Sequence, residues 1–328
     1  MLPAGLGFHP QPSASRPPRG VAPERPPWLD RAAHTPLETR SRHPEPPPLL
    51  KTLRSIAATQ RLCFAAPTPR VLVPTMGALH AGHAALLHRA RRLAGPKGTV
   101  VATVFVNPTQ FGPKEDLSRY PRPFAQDRAL CQSLGVDLLF APDPASMYAP
   151  DASTWVEETS VSRGLCGASR PGHFRGVATV VLKLFQITQP SHAVFGQKDF
   201  QQCAVLQRMV RDLNLPVRLF LENTVREPDG LALSSRNLYL SPQERAQAVI
   251  LSQSLRAAQK AFRAGTTSAA RLQRLIEKTI ATAPLAQIDY ISIVDGSSLE
   301  PVRTVHKGCV AALAVFFGRT RLIDNLRF

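Results

Sequence analysis

The stretch RVLVPTMG (70–77), an apolar β-branched run that breaks at a glycine and gives way to the helical spacing of HAALLHRARRLA (83–94), constrains the fold most. A short buried strand running into an amphipathic helix is the first half of a crossover unit. The pattern recurs. GTVVATVFVNP (98–108) reads as a second strand ended by Asn-Pro, DLLFAPD (137–143) as a third, and SHAVFGQKDFQQCAVLQRMVRDLN (191–214) repeats strand, glycine turn and helix. Strands alternating with helices predict α/β architecture: a Rossmann-like parallel sheet over residues 49–224. In such sheets ligands collect at the carboxyl ends of the strands, and these ends carry polar residues.

The flanking segments differ in texture. Residues 1–48 are dense in Pro and Arg with no apolar periodicity, so they bury too little surface to offset their ordering entropy and are expected to be a disordered extension. Glu24, Asp30, Glu38 and Glu45, with the proline density, speak against an amphipathic targeting helix, and a leader without function is the reading. Beyond a boundary near Asn223 to Val225, SPQERAQAVILSQSLRAAQKAFRAG (241–265) opens with a Ser241 cap, Pro242 and Glu244 at the capping-box position, predicting one long helix. With the strand-like IDYISIVDG and CVAALAVFFGRTRLIDNL it makes residues 225–328 a smaller α+β lid domain.

Composition excludes several classes. No apolar run reaches the roughly 18 residues of a membrane span, so no membrane partner is expected. The five cysteines are scattered without a C-x-x-C pair, which points to free thiols in a reducing, cytoplasmic setting. A net charge of +17 invites a nucleic-acid partner. The basic residues are spread along the chain and only 6% of residues are aromatic, so none is expected, and an anionic small substrate accounts for the charge as well.

The turn after the first strand holds the chemistry. Gly77 and Gly82 have the spacing of a P-loop, but His83 and Ala84 stand where its Lys and Ser/Thr would be, and the dinucleotide fingerprint is absent too. A strand, a glycine turn and a helix start remain, whose free N–H groups and positive dipole end favour an anion. His80 and His83 share one face there and can donate hydrogen bonds to a triphosphate as pyrophosphate is displaced. Two alternatives stay open on this stretch alone: a metal pair lacking a third ligand, and two structural histidines.

Further motifs bear on that choice. PTMGALHAGH (74–83), VFVNPTQFGPKEDLSRYPR (104–122), LCGASRPGHFRGVATVVLKLF (165–185), FGQKDFQQ (195–202) and DGLALSSRN (229–237), in this order, resemble the pantothenate synthetases, the pantoate–β-alanine ligases of the nucleotidyltransferase superfamily, over about residues 50–328. The resemblance implies a two-step reaction in which ATP and pantoate give pantoyl adenylate, and the amine of β-alanine then displaces AMP. It implies that Met76, Gly77, Ala78, Leu79, His80, Ala81, Gly82 and His83 cradle ATP, with both histidines on the phosphates and His83 as proton donor.

The same resemblance gives Gly196, Gln197, Lys198 and Asp199 to the nucleotide, Lys198 facing phosphates and Asp199 the ribose, and Val225 with Leu233 to the same ligand. Ser234, Ser235 and Arg236 are donors for the leaving pyrophosphate, while Gln110, Gln202, Asn107 and Tyr120 form the pantoate wall. Magnesium is expected to accompany the ATP phosphates with no protein metal cage, the Gly, Pro and charge of segment 111–123 predict a mobile loop over the site, and the resemblance implies a homodimer. RPGHFRG (170–176) faces the site, with no role assigned to His173 or Arg175. Three positions depart from the family: Leu233 for methionine, Gln197 for glutamate, and Ala81 for glutamate. Two rivals remain, a nucleotidyltransferase with another acceptor and a nucleic-acid-binding protein with a degenerate ATP fold.

Overall fold

The protein is described by a computed structural model covering residues 50–113 and 115–328; the expected disordered extension lies outside the described residues. Through residue 222 the strands are β1 (Lys51–Leu53), β2 (Arg70–Thr75), β3 (Thr99–Val104), β4 (Leu138–Phe140), β5 (His192–Gly196) and β6 (Arg218–Glu222). The helices there are α1 (Ile56–Ala65), α2 (Ala81–Ala94), α3 (Phe124–Ser133), α4 (Pro144–Met147), α5 (Cys166–Ser169), α6 (His173–Thr188) and α7 (Phe200–Asp212). Among the described residues the six strands form one wholly parallel sheet in the order β1-β4-β3-β2-β5-β6.

Alternation along each strand builds three layers. Val71, Val73 and Val194 pack with Leu86, Leu87 and Ala90 of α2 on one face. Leu72, Ala193 and Phe195 pack with α6 and α7 on the other. The chain runs from β2 to β3 and β4 on one side, then returns to place β5 and β6 on the other. The order therefore reverses between β2 and β5, and the crevice beyond their carboxyl ends is where a ligand finds room. The turns carrying His80 and Lys198 both leave the sheet at that point.

The remaining elements are α8 (Pro242–Ala248), α9 (Ile250–Arg263), α10 (Ala269–Ile280) and an antiparallel sheet of β7 (Ala286–Val294), β8 (Val310–Phe317) and β9 (Thr320–Arg327), in that order. Leu251, Leu255, Leu272 and Ile276 cover the inner face of this sheet. The expected capping box forms, with the Ser241 side chain bound to the backbone of Glu244 and the reverse. The single long helix does not: it divides at Val249, whose φ of −59° and ψ of −23° stay right-handed, so the interruption is a local bend. CVAALAVFFGRTRLIDNL is a hairpin of two strands, turning at Gly318 with φ +54°.

Candidate active site

The turn after β2 is wired by its own backbone. Gly77 takes a φ of +87°, and a Cβ there would stand 2.9 Å from an Asp127 oxygen and 3.0 Å from Val104, so only glycine passes. Asp127, buried in the first turn of α3, accepts from the backbone N–H groups of Ala78 at 2.9 Å and Leu79 at 2.7 Å, one on each carboxylate oxygen. Burial raises its pKa, while the two N–H donors oppose that by stabilising the charge. Thr75 completes the wiring: its hydroxyl donates to the Thr103 carbonyl at 2.6 Å and accepts from the Gly77 N–H at 3.2 Å.

His80 caps α2. Its Nδ1 accepts from the Gly82 N–H at 3.1 Å, and the Nδ1 of His83 accepts from the His80 N–H at 3.2 Å, a capping box built from two imidazoles. The rings lie 4.1 Å apart. Gly82 permits this, since a Cβ there would come within 2.8 Å of the His80 ring. Burial drives His80 down to about 4, helped by the positive Lys198 and opposed by Asp199. His83 is held well below the usual imidazole range by burial, with His80 and Lys198 adding to it. Both rings are neutral near pH 7, and because both Nδ1 atoms accept, the proton of each sits on Nε2. The helix start therefore offers two uncharged N–H donors.

A cavity of about 230 Å³ opens beside this turn and adjoins a larger one of about 930 Å³. Met76, His80, Gly82 and His83 line the smaller. Gly196, Lys198 and Asp199 reach it from the end of β5 and the 3-10 turn that follows. Val225, Leu233, Ser234, Ser235 and Arg236 reach it from a hairpin closed by the Leu233 N–H on the Val225 carbonyl at 3.0 Å. Gln110, Tyr120 and Gln202 line it as well. The described structure brings all these expected residues to one space.

Others stand behind them. Ala78 and Leu79 serve through the backbone on Asp127, and Gly77 and Ala81 shape the turn and the first residue of α2. Gln197 contributes a carbonyl that accepts from Asn325 at 3.0 Å. Asn107, only 1% exposed, does not line either cavity: it donates to the Gln110 side-chain oxygen at 3.0 Å and to the Gly176 carbonyl at 3.2 Å, so it holds Gln110.

Residues without an expected role complete the geometry. His173 donates from Nδ1 to the Gln110 carbonyl at 2.8 Å, while its Nε2 accepts from Arg170 at 3.1 Å, and Arg170 donates to the same carbonyl at 3.0 Å. Burial lowers His173 to about 4, with Arg170 adding to the shift. Arg175 stacks over Trp155 at 5.0 Å. In the segment 111–123, Glu115 accepts from Arg170 at 2.7 and 2.5 Å, and Asp116 accepts from Arg236 at 3.1 Å on each oxygen. Tyr120 meets the Ser235 hydroxyl at 3.2 Å and lies under Arg236 at 5.9 Å. Glu115 and Asp116 lie in the charged segment 111–123 expected over the site, but their pairing with Arg170 and Arg236, like that of Asp127 with the glycine turn, could not be read locally because the partners are 49 to 120 residues away in the chain.

The comparisons with known proteins agree with one another. The family model described as Pantoate-beta-alanine ligase matches residues 50–327. The chain is 50% identical over 278 residues to the pantothenate synthetase of Heliobacterium modesticaldum, covering 85% of this chain and 98% of that protein. It is 53% identical over 253 residues to that of Thermotoga petrophila, covering 77% and 89%. The crystal structure of the pantothenate synthetase from Thermus thermophilus superposes with a TM-score of 0.80 at 47% identity, covering 84% of this chain and 98% of that one. A Francisella tularensis pantoate-beta-alanine ligase complexed with beta-gamma ATP and beta-alanine gives 0.69 at 31% identity, covering 85% and 97%.

Proposed function

The chain belongs to the pantoate–β-alanine ligase family, and from that premise we propose that the cavity beside His80 and His83 is where it uses ATP to join pantoate to β-alanine. In the first step a pantoate carboxylate oxygen bonds to the α-phosphorus of ATP and the bond to pyrophosphate breaks, giving pantoyl adenylate. In the second the β-alanine amine bonds to the acyl carbon, loses a proton, and AMP leaves with the former carboxylate oxygen.

The observation that carries this reading is the pair of neutral, backbone-locked imidazoles whose free Nε2–H groups adjoin Lys198 in one cavity. Donors fixed before the reaction stabilise charge developing on the leaving phosphates without reorganisation. Lys198 supplies positive charge, and Ser234, Ser235 and Arg236 receive pyrophosphate from the opposite wall. Arg236 must first exchange its Asp116 partner for the phosphate. The Gln110 oxygen is taken by Asn107, so its amide NH2 is the group offered to a carboxylate. Asp199 suits the ribose, Val225 and Leu233 the base, and Gln202 with Tyr120 the rest of the pantoate wall.

Magnesium belongs to the same reading as a partner of the ATP phosphates, spreading their charge. Among the described residues there is no group of three or more His, Cys, Asp or Glu side chains that could hold a metal ion. A division at residues 224 and 225 into nucleotide and lid domains is supported by the two separate sheets. A cytoplasmic location is supported by five free buried cysteines, and among the described residues no helix is long and apolar enough to cross a membrane. The homodimer rests on the family resemblance alone. The test is product formation with ATP, magnesium, pantoate and β-alanine, omitting each small molecule in turn: AMP and pantothenate are expected only when all three substrates are present. AMP released without β-alanine, or no AMP from folded protein, would contradict the assignment.

A further inference from the structure

We propose that Asn325, near the end of β9, is a positioning residue for the turn that presents Lys198, and that its neighbour Asp324 fixes the opposite wall of the same cavity. The proposal rests on the reading of Lys198 as a phosphate-binding group. Asn325 donates from one carboxamide nitrogen to two successive backbone carbonyls, Gln197 at 3.0 Å and Lys198 at 2.9 Å. These carbonyls belong to the three-residue 3-10 turn that links β5 to α7. A turn so short has little internal bonding to hold it, and two carbonyls fixed by one rigid planar group cannot rotate independently.

Asp324 faces the other way, as consecutive strand residues do. It is 3% exposed and receives two parallel bonds from Arg226, at 2.7 and 2.8 Å, and its carboxylate also accepts the Asn325 N–H at 2.8 Å. Arg226 follows Val225 and pairs across the hairpin with Ala232, just before Leu233 and Ser234. It donates in addition to the Gly230 carbonyl at 3.1 Å. Two adjacent residues of the small sheet thus grip both segments expected to hold the nucleotide, one by neutral hydrogen bonds and one by a buried ion pair. Register holds them in place, Asp324 opposite Leu313 and Asn325 opposite Ala312, both buried in β8. The Lys198 turn is therefore set by a strand more than a hundred residues downstream, and no feature of the Gly-Gln-Lys-Asp stretch itself reveals it.

The test is adenylate formation in single turnovers at enzyme excess, by Asn325→Ala, Asn325→Asp, Lys198→Ala and the Lys198→Ala/Asn325→Ala double variant, with folding checked by thermal unfolding. Asn325→Asp keeps the volume but turns an acceptor toward two carbonyls, so it reports even where the alanine variant is poorly folded. Each Asn325 single variant is expected to slow the step about tenfold, as two neutral hydrogen bonds to a preorganised turn are lost. The double variant is expected to be no slower than Lys198→Ala alone, a non-additivity that general destabilisation would not produce. Wild-type rates in folded Asn325→Asp, or a further loss in the double variant, overturn the positioning role. Wild-type rates in Lys198→Ala overturn instead the reading on which it rests.

Discussion

The two sides of the cavity are held by opposite means. On the α2 side the histidines are fixed by backbone: each Nδ1 takes a main-chain N–H, and Asp127 takes two more. On the facing side Arg236 and Arg170 are held by the carboxylates of Asp116 and Glu115, which stand where anionic groups of a substrate would compete. The first arrangement is internal to the turn and, on the proposed reading, presents a preorganised donor set. The second is an ion pair in which, on the same reading, an incoming phosphate or carboxylate can replace the protein carboxylate, so that the guanidinium stays paired throughout.

The largest effects should fall on the fixed side. His80→Ala, His83→Ala and Lys198→Ala are each expected to lower adenylate formation by about 10²- to 10³-fold, the usual consequence of removing a preorganised donor; stopped-flow release of pyrophosphate measures it, and near-normal rates in all three would break the comparison. Asp127→Asn places an amide N–H against a backbone N–H and is expected to lower the unfolding free energy by about 1–3 kcal/mol, and to slow adenylate formation with it. Unchanged urea midpoint and rate would show that the glycine turn holds itself.

Acid should then act on both sides, through His80 at the start of α2 and His173 beside Arg170. His80 and His173 are each held near 4 in the folded chain against 6.5 as the unperturbed value. Below 6.5 the unfolded chain takes up protons that the folded chain refuses, so this stabilisation is complete above 6.5 and is lost as pH falls toward 4. Denaturant midpoints should drop across that window, and His80→Gln should flatten the slope. A level profile would mean that the imidazoles are not held neutral.

The exchangeable side predicts less. Asp116→Asn releases Arg236 from a competing carboxylate and is expected to lower KM for ATP roughly two- to fivefold, the scale of a partly exposed ion pair, with kcat little changed. A raised KM would make Asp116 part of the bound state instead of a competitor. The smallest effect belongs to Leu233→Met, which restores the residue usual in the family: a volume-conserving exchange should shift stability by less than about 1.5 kcal/mol and leave turnover unchanged.

What could be read in the sequence was what is local. The runs at 70–77, 98–108 and 137–143 became β2, β3 and β4, and the helical pattern after Gly82 became α2, with its start moved back to Ala81 because His80 itself is the cap. β1, with three residues, and β6, flanked by charge, carried too weak a pattern to register. The site followed the same rule. The histidines, Lys198 and the serine pair stand in compact motifs, whereas Asp127 lies 49 residues from Ala78 and Asn325 lies 127 from Lys198. Such contacts exist only once the sheet has brought the segments together.

The measurement that bears most directly on the central claim is exchange of labelled pyrophosphate into ATP with pantoate present and β-alanine absent. The account predicts exchange that requires pantoate, proceeds without β-alanine, and is lost in folded His83→Ala. Product formation without such exchange, or exchange undiminished in His83→Ala, would contradict an adenylate formed at the histidine-capped start of α2.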